Sequence, residues 1–135
     1  MKNQGLQRKE LRNAYRVVVV DDEIEFRTWL RSLLKSSEDF HVVGEASTGT
    51  EALLLIASLT PDLVIADIYI PDPDGLEVAR YVQDHFPDIK VILVSAHVER
   101  IYKRLAREEG AQGFIPKVSL SLDALRQALQ VEMLL

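Results

Sequence analysis

The chain has 135 residues, 47% of them hydrophobic and 27% charged, which suits one domain with enough apolar side chains to bury a core. This composition excludes an intrinsically disordered chain, and the lack of cysteine excludes disulfides, a thiol nucleophile and a cysteine zinc site. The net charge of −5 divides into +4 on residues 1–16 and −9 on the rest, so the acidic body predicts no direct nucleic-acid binding.

Residues 1–15 read as a solvated basic extension and residues 16–135 as the domain proper. No secretory signal is visible in the first sixteen residues, and the apolar runs are too short to span a membrane. A soluble, cytoplasmic chain is expected. Residues 17–20 form the first β-branched run, nearly unbroken in apolar character, as strands covered on both faces are. Phe26, Trp29, Leu30, Leu33 and Leu34 follow at helical spacing. A second strand is predicted at residues 41–45, then a helix face of Ala52, Leu55, Ile56 and Leu59 capped by Thr48 or Thr50. Residues 63–66 give a third strand. Leu76, Ala79, Val82 and Phe86 give a third helix, begun at Asp74-Gly75 and ended by Pro87. A fourth strand at 91–94 precedes Ile101, Leu105 and Ala106, a helix closed by Gly110. A fifth strand at 113–115 precedes a last helix with Ser121 as cap and Leu122, Leu125, Ala128, Leu129 and Met133 on its face. Strands alternating with helices over short connections predict an α/β fold, a doubly wound parallel sheet of five strands.

In such sheets ligands bind beyond the carboxyl ends of the strands. Asp21 and Asp22 end the first run, Asp67 the third and Ser95 the fourth, while Lys117 follows the fifth. One acid after a strand is commonplace in turns; four strands delivering complementary groups to one edge point to a site. Three converging carboxylates repel one another unless a cation sits among them, and an all-oxygen set favours magnesium over zinc. A nearby lysine supplies a point charge for a phosphate, and an aspartate can itself be the nucleophile. The chemistry suggested is magnesium-assisted phosphoryl transfer onto a carboxylate.

These residues resemble a family. Asp21-Asp22, the run from Asp67 through Pro71 and Asp74 to Gly75, Ser95-Ala96 and Pro116-Lys117 are similar to the response-regulator receiver domain of two-component signalling. Gly49 to Leu53, Pro61 to Val64 and Glu109 to Phe114 resemble its LuxR/NarL/FixJ type. The resemblance implies a CheY-like three-layer sandwich with strand order 2-1-3-4-5. It implies that Asp67 accepts a phosphoryl group from a histidine kinase, and that Asp21, Asp22, Asp67 and the backbone carbonyl of Tyr69 serve Mg2+. Ser95 and Lys117 would bind the phosphoryl group, and Phe114 would be the switch aromatic, here without a phenolic hydroxyl. Tyr69 and His97 would flank the site. The resemblance further implies self-dephosphorylation rather than an enzyme with a separate substrate, control of an output such as transcription, and pairing of two copies on phosphorylation. Ile101, Tyr102, Leu105, Leu120 and residues 131–135 are the expected apolar pairing patch.

Two alternatives stand beside this. A magnesium-dependent phosphatase with an aspartate nucleophile, of the haloacid dehalogenase type, wants a second aspartate where Tyr69 stands. A degenerate receiver serving only as a protein-binding module needs no full set of acids, serine and lysine. A flavodoxin-like cofactor binder lacks its Gly-rich loop here.

Overall fold

The computed structural model describes residues 14–133, with the side chains of 131–133 excepted. Strand β1 (Tyr15–Val20) leads to helix α1 (Ile24–Lys35), β2 (Phe40–Ala46), α2 (Gly49–Leu59), β3 (Leu63–Asp67) and α3 (Gly75–His85). Then come β4 (Lys90–Ser95), α4 (Arg100–Glu108), β5 (Gly113–Pro116), a 3-10 turn (Lys117–Ser119) and α5 (Leu122–Met133). The five strands are parallel in the order β2-β1-β3-β4-β5. Residues 1–13, most of the expected basic extension, lie outside the described residues, and Tyr15 is already the first residue of β1.

Both faces of the sheet are covered, so the strands show no alternation of apolar and polar residues. Successive side chains still point to opposite faces. Val17 and Val19, Leu63 and Ile65, and Ile92 and Val94 pack with Leu30 and Leu34 of α1 and Leu125 and Leu129 of α5. Val18 and Val20, Val64 and Ala66, and Val91 and Leu93 pack with Ile56 of α2, Val78 and Val82 of α3 and Ala106 of α4. Each Val, Leu or Ile buried this fully contributes roughly 1.5–3 kcal/mol of transfer free energy.

The helix ends carry the predicted signals. The Thr48 hydroxyl accepts the Glu51 N–H at 3.1 Å, and the Ser121 hydroxyl accepts that of Ala124 at 3.0 Å. Asp74 and Glu77 form a reciprocal capping box at the start of α3. Gly110 takes φ +86° after α4, a conformation that suits glycine. Two helix faces differ from expectation. Trp29 is 46% exposed on the flank of α1, and Ile101 is 42% exposed on α4, because a stripe at helical spacing is wider than the contact the sheet offers. Of the expected apolar pairing patch, Ile101 is exposed, and residues 131–135 lie outside those whose side chains are described. Leu120 is buried against the α1–α5 side of the core, and Tyr102 and Leu105 are half-buried. Arg100, Lys103, Arg104 and Arg107 share the exposed face of α4 with Ile101.

Sheet register positions the site. Val20 pairs with Ala46 and with Ala66, Asp67 with Val94, and Ser95 with Pro116. The carboxyl ends of β1, β3, β4 and β5 therefore finish level with one another.

Candidate functional site

Asp67 and Ser95 are the last residues of β3 and β4, while Asp21 and Lys117 directly follow β1 and β5, so the level strand ends bring these polar residues together. Asp21 is fully buried and Asp67 nearly so, while Asp22 is exposed at the rim. One oxygen from each of the three carboxylates lies within 4.8 Å of the others. The aspartate pair does not cap α1: Asp21 Oδ1 accepts the Glu23 N–H at 2.8 Å in a turn, and Glu23 itself is the N-cap. Asp67 Oδ1 accepts the Tyr69 N–H at 3.0 Å.

Lys117 reaches this cluster from the 3-10 turn. Its Nζ is 2.7 Å from Asp21 Oδ2, 2.9 Å from Asp67 Oδ2 and 3.5 Å from Glu23 Oε1. The ammonium also sits 4.1 Å from the centroid of the Phe26 ring. Burial opposes the charge on Lys117, but the Asp21 and Asp67 carboxylates outweigh it and raise the ammonium's pKa. Burial raises Asp21 too, and more strongly than Lys117 and the Glu23 N–H lower it. The two directions agree physically, because one ammonium shared among several carboxylates gives each less than a full counter-charge.

Three carboxylates against one ammonium leave a formal charge of −2 in a largely buried site. Asp21 Oδ2 is buried with no aligned hydrogen-bond donor; its contact with Lys117 is an ion pair outside hydrogen-bond angles. A buried, anionic, unsatisfied oxygen among hard oxygen donors fits a small divalent cation.

Ser95 ends β4 fully buried, one residue beyond the strand partner of Asp67. Its Oγ accepts the His97 N–H at 3.0 Å. Phe114 is half-buried on β5, its ring 6.3 Å from that of Tyr102. Tyr69 and His97 are both exposed at the mouth, with ring centroids 5.1 Å apart. Tyr69 also donates its hydroxyl to that of Tyr102 at 2.5 Å, and this bond, aided by burial and nearby negative charge, pushes its phenol up to about 12.

Three contributors escaped the sequence reading. Arg27 Nη1 donates to the Asp21 carbonyl at 2.6 Å, and its Nε lies 3.3 Å from Glu45 on β2. Tyr102 read only as surface of the fourth helix. Gly75 read only as a helix start, yet its N–H bonds the Ile68 carbonyl at 2.8 Å and its Cα abuts Asp67. Each contact depends on how a helix packs against the strand ends, which no local spacing announces.

A doubly wound sheet with an acid cluster, a buried hydroxyl and an ammonium at its switch edge is an α/β domain with its candidate binding site beyond the carboxyl ends of the strands. Residues 17–130 match the response regulator receiver domain, and the chain belongs to that family. It is 31% identical to the transcriptional regulatory protein DegU of Brevibacillus brevis over 119 residues, 88% of this chain and 50% of that protein. Among solved structures it resembles the signal receiver domain of a protein described as the response regulator NarL of Mycobacterium tuberculosis. That likeness has a TM-score of 0.78 at 36% identity and covers 86% of this chain and 97% of the other. A LuxR-family two-component response regulator from Aurantimonas sp. SI85-9A1 also has a TM-score of 0.78, at 30% identity, covering 87% of this chain and 84% of that one. The chain spans about half the length of the curated relatives it matches. Among the described residues no helix is long and apolar enough to cross a membrane.

Proposed function

We propose that this receiver domain accepts a phosphoryl group from a histidine kinase onto Asp67 and relays the change in charge to its surface. The observation that carries this is the juxtaposition of Asp67 with Asp21 and Asp22 within 4.8 Å and with Lys117 at 2.9 Å. In the transfer a carboxylate oxygen of Asp67 bonds phosphorus as the phosphorus–nitrogen bond of the phosphohistidine breaks.

Asp21, Asp22, Asp67 and the backbone carbonyl of Tyr69 would hold Mg2+, which when bound neutralises charge on the transferred phosphoryl oxygens. Lys117 holds positive charge beside the acceptor before and after transfer. The Ser95 hydroxyl, which donates to no partner among the described residues, supplies a hydrogen bond to the phosphoryl oxygens. Phe114 responds to the movement of Ser95. A phosphoryl group adds about −1.5 to −2 of charge, enough to bias a bistable element.

The domain loses the phosphoryl group to water by its own chemistry and has no separate substrate. It works in the cytoplasm, its output is control of transcription, and phosphorylated copies pair through the face of α4, β5 and α5. In support, the curated relatives include transcriptional regulatory proteins.

The test is intact mass after incubation with acetyl phosphate, with and without Mg2+, on the wild type and Asp67→Asn. One phosphoryl group should enter the wild type, with magnesium only, and none should enter the variant. Equal incorporation in the two proteins overturns the assignment.

A further inference from the structure

The rings around the acceptor aspartate touch in a closed set. Tyr69 lies 5.1 Å from His97 and 5.9 Å from Tyr102 between ring centroids, and His97 lies 5.6 Å from Tyr102. Two of the three are tied by their backbones to the site. The Tyr69 N–H is bonded to Asp67 and the His97 N–H to Ser95. The rings thus bridge the ends of β3 and β4, across the gap between Asp67 and Ser95.

Tyr69 is 51% exposed, and a half-exposed ring gains rotamer entropy by swinging away. What opposes this is the 2.5 Å bond to the Tyr102 hydroxyl. Tyr102 is the better anchored partner. It stands in the first turn of α4, half-buried, with its ring near Phe114 and packed against the core.

We propose that Tyr102 is a positioning residue whose hydroxyl holds the Tyr69 ring at the rim of the site beside Asp67 and so prolongs the acyl phosphate. This rests on the reading of Asp67 as phosphoacceptor. In the reaction that is slowed, a water oxygen bonds phosphorus as the bond from phosphorus to the Asp67 oxygen breaks. The bonding pair returns to the carboxylate, and the water's protons pass to phosphate and solvent. The water must arrive on the side opposite the departing carboxylate, which is the open mouth the rings border.

Tyr102→Phe keeps the ring and removes only the hydroxyl. The wild type, Tyr102→Phe, Tyr69→Phe and the double variant are phosphorylated with acetyl phosphate, freed of donor and followed by intact mass. Either single variant should lose phosphate about fivefold faster, the factor one net hydrogen bond sustains. The double variant should be no faster than a single one, because the two hydroxyls act as one unit. In Tyr102→Phe the yield of labelled Asp67 should stay at the wild-type value. A merely structural role would lower the melting temperature and leave the rate of phosphate loss at the wild-type value. Loss of phosphate from Tyr102→Phe at the wild-type rate, or multiplied effects in the double variant, overturns the proposal. Failure of the wild type to label at all overturns the reading of Asp67, and the proposal with it.

Discussion

Gly75 lies so close to Asp67 that a Cβ on it would stand 2.3 Å from the Asp67 carbonyl oxygen and 2.7 Å from the Cα of Ile68. Both obstacles are backbone, so neither can turn aside. The start of α3 is pressed directly against the end of β3, and this contact aims the acidic loop.

Gly75→Ala is therefore expected to destabilise the protein by about 1–3 kcal/mol, the usual cost of overpacking. Helix propensity alone would favour alanine by at most about 1 kcal/mol, and less at a first helical position. Urea unfolding decides between the two, and a more stable variant would refute the close contact. Magnesium should also bind the variant more weakly.

Arg27 should support the metal site without touching the metal. Its side chain is only 15% exposed, and its guanidinium clamps the Asp21 carbonyl. Arg27→Ala leaves that carbonyl short of a donor, so a loss of about 1–3 kcal/mol is expected, with magnesium affinity falling several-fold. Arg31, 49% exposed and paired with the same Glu45, serves as the control. Its alanine variant should stay within about 0.5 kcal/mol of wild type. Calorimetric titration with Mg2+ and thermal unfolding give both comparisons.

Asp21 sets a pH dependence whose sign follows from its burial. Desolvation raises its carboxyl above the ordinary 3.8, so the folded protein binds this proton more tightly than the unfolded chain. The stability this contributes is complete below 3.8 and is lost as pH rises through the folded-state value. In chelator at neutral pH, Asp21→Asn should then melt a few degrees higher than wild type, with the gain vanishing as pH falls below 3.8. Magnesium at a hundredfold excess over its Kd should reverse the order, since it adds about 2.7 kcal/mol only to the protein that binds it. An unchanged melting temperature in chelator would show that Lys117 fully compensates the buried charge.

Lys117 competes with a divalent cation for the carboxylates it already touches. Lys117→Met removes one positive charge from the cluster and should tighten magnesium binding about tenfold, or roughly 1.4 kcal/mol. The same variant should melt lower in chelator, because Asp21 and Asp67 then face each other without a counter-ion. Weaker magnesium binding would mean that the ammonium organises the site rather than competing in it.

Much of this architecture is written locally. Unbroken β-branched runs such as residues 17–20 read as strands covered on both faces, since a one-sided strand would carry polar residues at every second place. Thr48, Asp74, Pro87, Gly110 and Ser121 punctuate the helices through their own short-range geometry. The acids, hydroxyl and lysine were legible for the same reason: each directly ends or follows a strand, and parallel strands deliver their carboxyl ends to one edge. Distances between elements were not legible, because they depend on register and helix placement summed over the whole core. Only the tertiary structure turned Trp29 outward, buried Leu120, and set Arg100, Lys103, Arg104 and Arg107 beside Ile101 on the exposed face of α4. It alone joined Arg27 to the Asp21 carbonyl, Gly75 to Asp67 and Tyr102 to Tyr69. Those contacts span 6, 8 and 33 residues along the chain, and it is the packing of helices against the sheet that brings them within reach.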